Sequence, residues 1–503
     1  MALPNTTRSE ERSERNEFFG QSMPATTLRG KTAMDLRGNE NDGGEWGERF
    51  VFPPRVPAMA ESIRFLTSLR NMDPKTGSET DAQKSASKPK ALLLPVSKDP
   101  STVQYITRLN FGTPSVPKTL VVDLGGRYTW IDCAKGYKSS TYKPGICGSA
   151  PCSLAESDGC NKCLSAPKPG CTTKNSTCVL NPENTVTGHV DFGELAMDKI
   201  SLQSTDGSKP GPLNSVSDFI FSCATDMLVI DFARGAKGML GLGRNPVGLP
   251  TQLASAFGGG FARKFAICLP SKPKTNGVIF FGDSPYIFHQ IDNKSMTIDV
   301  SLLPRLAYTK LYINPVSTAG ASRKGEQSTE YFVRVNSILV DRKPIRINST
   351  LLSINNKGFG GTKISTVSPY TVLESSIYNA VVKAFDEAFL ANSDESRVKP
   401  VKPFKDCYTA TVRTPLGVAV PDLAFVFENN VKWDIYGANS MVEISRDVHC
   451  LGFLDGGSNP MTSIVIGAHQ LEDNLLQFDL AASKLAFTET LLWEGIECSN
   501  FKF

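Results

Sequence analysis

Asp123 ends the run Leu120-Val121-Val122-Asp123 and is followed by Leu124-Gly125-Gly126. A β-branched apolar run reads as a buried strand, and the glycines behind it turn the carboxylate out of the sheet into a cleft. A carboxylate held there is equipped to draw a proton from water. Hydrolysis by that route needs a second carboxyl, because one must be ionised as base while the other is protonated as acid. Other residue types offer less. Gly241-Leu242-Gly243 lacks a third glycine and a ribose-binding acid, so it reads as structural. Cys160 and Cys163 have zinc-like spacing, but no second such pair and no histidine pair follows, and the neighbouring spacings are irregular. A disulfide-stapled loop is the expectation there. The four histidines are scattered, and no metal or cofactor is expected.

The elements that must position Asp123 begin near Lys90. The chain has 503 residues, 40% of them apolar, and a net charge of +4, which suits a soluble globular protein with two or three cores and does not call for nucleic acid as a partner. No run of eighteen apolar residues occurs, so no membrane span is expected. Residues 1–88 are polar and punctuated by Gly and Pro, the composition of a disordered extension. Within them, Ile63, Leu66 and Leu69 have helical spacing that reads as a turn or two in a linker. No apolar signal segment is visible, and Glu10, Glu11, Glu14 and Glu17 argue against an organellar transit peptide. The cysteines point to an oxidising compartment nonetheless. All twelve are expected in bridges: Cys133, Cys147, Cys152, Cys160, Cys163, Cys171, Cys178, Cys223, Cys268, Cys407, Cys450 and Cys498. Sequons at Asn175, Asn293 and Asn348 fit a secreted glycoprotein. The secreted domain is therefore placed from near Lys90 onward.

From Lys90 the pattern is all-β. Residues 91–114 give two strands, the second alternating Val103, Tyr105 and Leu109 against Gln104, Arg108 and Asn110 before a Gly112-Thr113-Pro114 turn. The clearest helix lies in Ser376–Leu390, with Ile377, Val381, Phe385 and Phe389 on one face and capping chemistry ahead of it in 371–375. Pro421–Phe427 reads as a buried strand.

The loop at Asp123 resembles the catalytic loop of pepsin-like aspartic proteases, with Leu124 where a hydroxyl residue should stand. The resemblance implies a second such loop, and Gly360–Val381 matches it in all but the acid: Ser365 stands at the aspartate position and Val367 at the glycine. A serine supplies no second titrating carboxyl, so the dyad positions Asp123 and Ser365 are degenerate and no catalytic residue is expected. The flap tyrosine expected near Asn181–Asn184 is also missing. Ala236–Ala254 and Ser463–Phe487 resemble the apolar-Gly strands that buttress the two loops, so VVDLGG with MLGLG and KISTVS with IVIGAH form an internal duplication. The implied fold is all-β and bilobal, the double-ψ pepsin-like architecture with few short helices, divided into lobes at 89–304, carrying the cysteine-rich insertion, and 305–503. The resemblance also pairs Cys407 with Cys450.

The combination of ISTVSPYTVLESSIY, FLDGGSNPMTSIVIGAHQLEDNLLQFDL and the clustered cysteines is similar to the plant extracellular dermal glycoprotein group, which includes basic 7S globulins, gamma-conglutins and inhibitors of xyloglucan-specific endoglucanases and xylanases. The resemblance implies an extracellular protein of the apoplast or cell wall that does not cleave peptides, and a microbial cell-wall glycoside hydrolase as its protein partner. Storage or signalling in seed is the first alternative, and an aspartic endopeptidase using Asp123 the second. Inhibitors of this kind present a basic residue to the carboxylates of a hydrolase cleft. Arg446 and His449 are the candidates on the C-terminal loop, Met461 stands at its tip where a base is expected, and Arg342 and Arg346 lie on another C-terminal segment.

Overall fold

In the computed structural model residues 88–503 are described, apart from 135, 158, 163–167, 172–175, 292–296 and 392. The extension read over 1–88, the sequons at Asn175 and Asn293, and Cys163 fall outside the described residues, save for Lys88 at the extension's end. The first strands follow the sequence pattern: β1 is Ala91–Lys98, β2 Tyr105–Phe111, β3 Val116–Asp123 and β4 Trp130–Asp132. β2 alternates buried and partly exposed residues, and β3 ends in four buried ones, as a strand diving into a core must.

Two regions share one strand plan. In the first, β3 runs parallel to Gly238–Gly241, which runs antiparallel to β4, and β4 runs parallel to Pro210–Ala224. In the second, Thr362–Ile364 runs parallel to Ile464–Ile466, which runs antiparallel to Thr371–Leu373, itself parallel to Phe453–Asp455. Between them lies an antiparallel set that draws strands from both ends of the chain: β1, Asn276–Gly282, Lys264–Cys268, Leu475–Asp479, Lys484–Phe487 and Ala307–Lys310. Duplicated ψ-shaped halves joined by such a sheet are the pepsin-like architecture, with few and short helices.

The longest helix among the described residues, Ser375–Phe389, buries Ile377, Val381, Phe385 and Phe389. Its cap is Glu374, whose carboxylate accepts the backbone N–H of Ser376 at 2.9 Å, while Thr371–Leu373 just before it is strand. Bridges join Cys133–Cys223, Cys147–Cys160, Cys152–Cys178, Cys268–Cys498 and Cys407–Cys450. Cys171 is disulfide-bonded as well. The Cys268–Cys498 bridge spans 230 residues and ties the C-terminus to the central sheet.

Candidate functional site: the cleft at Asp123

Register sets Asp123 and Ser365 in equivalent places. Asp123 lies beside Gly241 in its parallel pair, and Ile364 lies beside Ile466, so that Ser365 comes next, beside Gly467. Each glycine lets a loop backbone pass over it. A Cβ on Gly241 would sit 2.4 Å from the Tyr128 carbonyl oxygen, and one on Gly467 2.1 Å from the Tyr370 carbonyl carbon. Tyr128 and Tyr370 stand five residues beyond Asp123 and Ser365 respectively, so the two loops fold back over their buttresses in the same way.

The side chains at the two positions then diverge. Asp123 is 6% exposed. The Gly125 N–H donates to its Oδ1 at 3.0 Å and the Thr185 hydroxyl to its Oδ2 at 2.8 Å. Burial pushes its pKa up to about 6, partly opposed by the Thr185 hydrogen bond and assisted by the charge of Glu330. Ser365 turns its Oγ back on its own loop, accepting the N–H groups of Val367 at 3.2 Å and Ser368 at 3.1 Å. That hydroxyl therefore acts as a turn cap.

The link between the loops is one-sided. Thr366 Oγ1 donates to the Val122 carbonyl at 2.8 Å and accepts the Leu124 N–H at 3.0 Å. Leu124 cannot return the contact, and its side chain is fully buried in the core. Burying a leucine is worth about 1.5–3 kcal/mol and a net hydrogen bond about 1 kcal/mol, so losing a hydroxyl here need not weaken the fold.

The space beside Asp123 is narrowed by the chain itself, with residues 317–319, 321 and 328–330 lining it. Thr329 Oγ1 donates to the Gly125 carbonyl at 2.7 Å, and the Gly320 N–H donates to Glu183 Oε2 at 2.9 Å. Glu330 pairs with Lys363 at 2.7 Å and accepts hydroxyl hydrogen bonds from Ser328 and Thr318. At the margin Arg127 pairs with Glu326 at 2.6 Å and Glu156 at 3.1 Å. Opposite stands the short hairpin Glu183–Asn184 with His189–Val190, whose turn carries Thr185 in the place where a flap would be sought. The Trp130 indole N–H donates to the Glu183 carbonyl, and burial raises the Glu183 carboxyl. About 180 Å³ remains free, room for a few waters but short of the roughly 300–1,000 Å³ of a ligand pocket.

The remaining candidates are dispersed. Arg446 is exposed at the turn between Met441–Ser445 and Val448–Leu451, where its carbonyl accepts from Arg413 at 2.7 Å. His449 is 3% exposed on the second of those strands, and its imidazole faces inward with no surface to offer. Met461 is half-buried beside Gly358, and its carbonyl accepts the Gly360 N–H. Arg342 and Arg346 are exposed and line two separate grooves. Asn348 is exposed, its side chain capping the turn Ser349–Leu352 by accepting the Thr350 N–H at 3.1 Å.

Thr185, Glu183, Glu330 and Lys363 were not singled out from sequence. Lys363 was within reach: it lies on Thr362–Ile364, two residues before Ser365, and both line the cleft. Nothing local marks 317–319, 321 and 328–330 as residues that line the cleft.

Comparison with known proteins agrees with this geometry. The xylanase inhibitor N-terminal family model matches residues 105–283 and the xylanase inhibitor C-terminal model residues 330–489. The chain is 49% identical to a probable aspartic proteinase GIP2 of Nicotiana benthamiana over 447 residues, covering 88% of this chain and 96% of that one. It is 36% identical to the basic 7S globulin of Glycine max, covering 81% and 91%. Among solved structures, that of edgp superposes with a TM-score of 0.79 at 49% identity over 84% of this chain and all of the other, and that of soybean basic 7S globulin with 0.69 at 34% over 82% and all of the other. The chain thus belongs to the aspartic-protease-like family of xylanase inhibitors, gamma conglutins and basic 7S globulins, whose members are generally not proteases.

Proposed function

We propose that the protein is a secreted, non-proteolytic binder of microbial cell-wall glycoside hydrolases, endoglucanases or xylanases, acting in the apoplast or cell wall. The observation that carries this reading is the state of the cleft. Asp123 has a hydroxyl that caps its own loop where an acid partner would be needed, and the chain's own residues 317–319, 321 and 328–330 wall the space beside it down to about 180 Å³. Without its partner acid the carboxylate loses most of what an interdependent catalytic set provides. What the fold then offers is a rigid body carrying exposed loops, where recognition is concentrated.

The match to xylanase inhibitor models supports a hydrolase as the target. Of the bases read from sequence on the C-terminal loop, Arg446 is the exposed one, and Arg413 lies against its backbone. A guanidinium at a hairpin turn is suited to reach between two carboxylates in an enzyme cleft, where desolvation strengthens a charge-assisted pair. The test is residual xyloglucanase and xylanase activity with excess purified protein, alongside gel filtration of the mixture. Inhibition that weakens in Arg446→Ala supports the reading. No inhibition and no complex across several fungal enzymes would overturn it in favour of storage or signalling.

A further inference from the structure

A second concave region lies away from Asp123, on the outer face of the sheet formed by Lys343–Pro344, Val335–Val340, Leu423–Phe427 and Lys432–Ile435. The inner face, including Ile338, Phe425, Trp433 and Ile435, belongs to the core. Strand alternation sends Leu339, Ala424 and Asp434 outward, and register aligns them across three strands. Two features raise walls around this floor. One is the hairpin Arg413–Thr414 with Gly417–Val418, and the other is the turn Leu491–Glu494. The groove between them holds about 760 Å³, within the range of ligand sites and about four times the space left above Asp123.

One wall carries an indole open to solvent. Trp493 is 59% exposed, and Tyr436 packs against it edge-on with ring centroids 5.5 Å apart and planes at 89°. The turn that presents it is fixed: Leu491 is buried in the core, Thr490 accepts the Leu492 N–H, and Gly495 closes the turn at φ 64°. The indole is therefore offered in a set position, without the entropy cost of ordering a loop.

The polar groups of the groove balance in charge. Asp422 and Asp434 stand against Arg342 and Lys432, giving a net of zero. Among the described residues neither carboxylate accepts a side-chain hydrogen bond or an ion pair from the protein. Burial raises both carboxyls, and the charge of Arg342 acts on each in the opposite sense. Free acceptors and donors therefore line a groove with no net field to attract an anion or a cation.

An uncharged ligand with an apolar face and many hydroxyls answers this combination. A pyranose ring stacks its C–H face on an aromatic plane, and its neighbouring hydroxyls donate to carboxylates and accept from a guanidinium in paired contacts. We propose that the groove between Trp493 and Asp434 is a binding site for a neutral oligosaccharide. It is distinct from the hydrolase-binding role and does not depend on it: such a site would hold the protein on polysaccharide while its loops remain free.

The test is titration of the full chain with cellohexaose and with xylohexaose, followed by intrinsic fluorescence and calorimetry. The titrations use a Trp46→Phe background, and the other indoles among the described residues, Trp130 and Trp433, are buried, so a spectral change reports on Trp493. A saturable change with one of these sugars is expected. It should weaken at least about tenfold in Trp493→Ala and several-fold in Asp434→Asn, with the unfolding midpoint unchanged, and hexagalacturonate should bind no tighter than the neutral sugars. No saturable binding of either neutral sugar up to about 10 mM, or binding that survives Trp493→Ala unaltered, overturns the proposal. So does a groove that captures a polypeptide but neither sugar.

Discussion

At the end of β3 the chain carries Asp123, Leu124 and Gly125; at the end of Thr362–Ile364 it carries Ser365, Thr366 and Val367, on a frame of strands matched in direction and register. Both frames have a glycine under the returning loop and a tyrosine five residues past the key position. The carboxylate of the first loop is buried and held by Gly125 and Thr185, whereas the hydroxyl of the second is spent on its own backbone. Packing and backbone hydrogen bonds fix the frame whatever stands at its tip, while the chemistry rests on one side chain per loop. The frame is therefore kept although only one of the two equivalent positions carries a carboxylate, and frame alone does not imply function.

The largest expected effect tests the frame. Gly467→Val places side-chain atoms into the Tyr370 backbone, and Gly241→Val into that of Tyr128. Each should cost at least about 4 kcal/mol or abolish the yield of folded protein, in urea unfolding or expression, and the two should behave alike. A mild effect at either would break the equivalence of the halves.

Next comes the asymmetry of charge. The Asp123 carboxyl titrates at about 6 in the folded chain, above the roughly 4 of an unfolded aspartate. Its protonated form is thus favoured by folding. The stability it contributes is fully present below about pH 4 and is lost as pH rises through 6. Asp123→Asn cannot ionise, so relative to the parent it should gain about 3 kcal/mol between pH 4 and pH 7.5 in denaturant melts. A parallel pair of pH curves would show that the carboxylate is not buried as described.

A smaller effect concerns the one-sided link. Thr366→Val leaves the Leu124 N–H and the Val122 carbonyl without their partner and should cost about 2 kcal/mol. Leu124→Thr, which trades apolar burial for a hydroxyl, should change stability by less than about 1.5 kcal/mol.

Much of this comparison was legible in the sequence because it rests on local signals. Apolar runs closed by Asp-Leu-Gly-Gly or Ser-Thr-Val-Ser, and the glycines of MLGLG and IVIGAH, state strand, turn and close approach within a few residues. The helix face at Ile377, Val381, Phe385 and Phe389 was equally explicit, although its cap proved to be Glu374 after a strand. Contacts made over long separations carried no such signal. Thr185 reaches Asp123 across 62 residues and Thr329 reaches Gly125 across 204, so the narrowing of the cleft emerges only from the fold. His449 shows the same limit from the other side. A histidine beside a loop reads as exposed, but the strand that carries His449 is covered on both faces: His449 lies beside the buried Tyr408, and its neighbour Cys450 is buried with Cys407 on the other side.

The most direct test of the central claim, that the cleft has kept its frame and lost its reaction, is a peptidase assay of the purified chain on an unfolded protein substrate between pH 3 and 7. The account predicts no cleavage above background for the parent, and none for Asp123→Asn, because the barrier lacks the several kcal/mol that a paired acid and base supply. Cleavage by the parent that disappears in Asp123→Asn would contradict it.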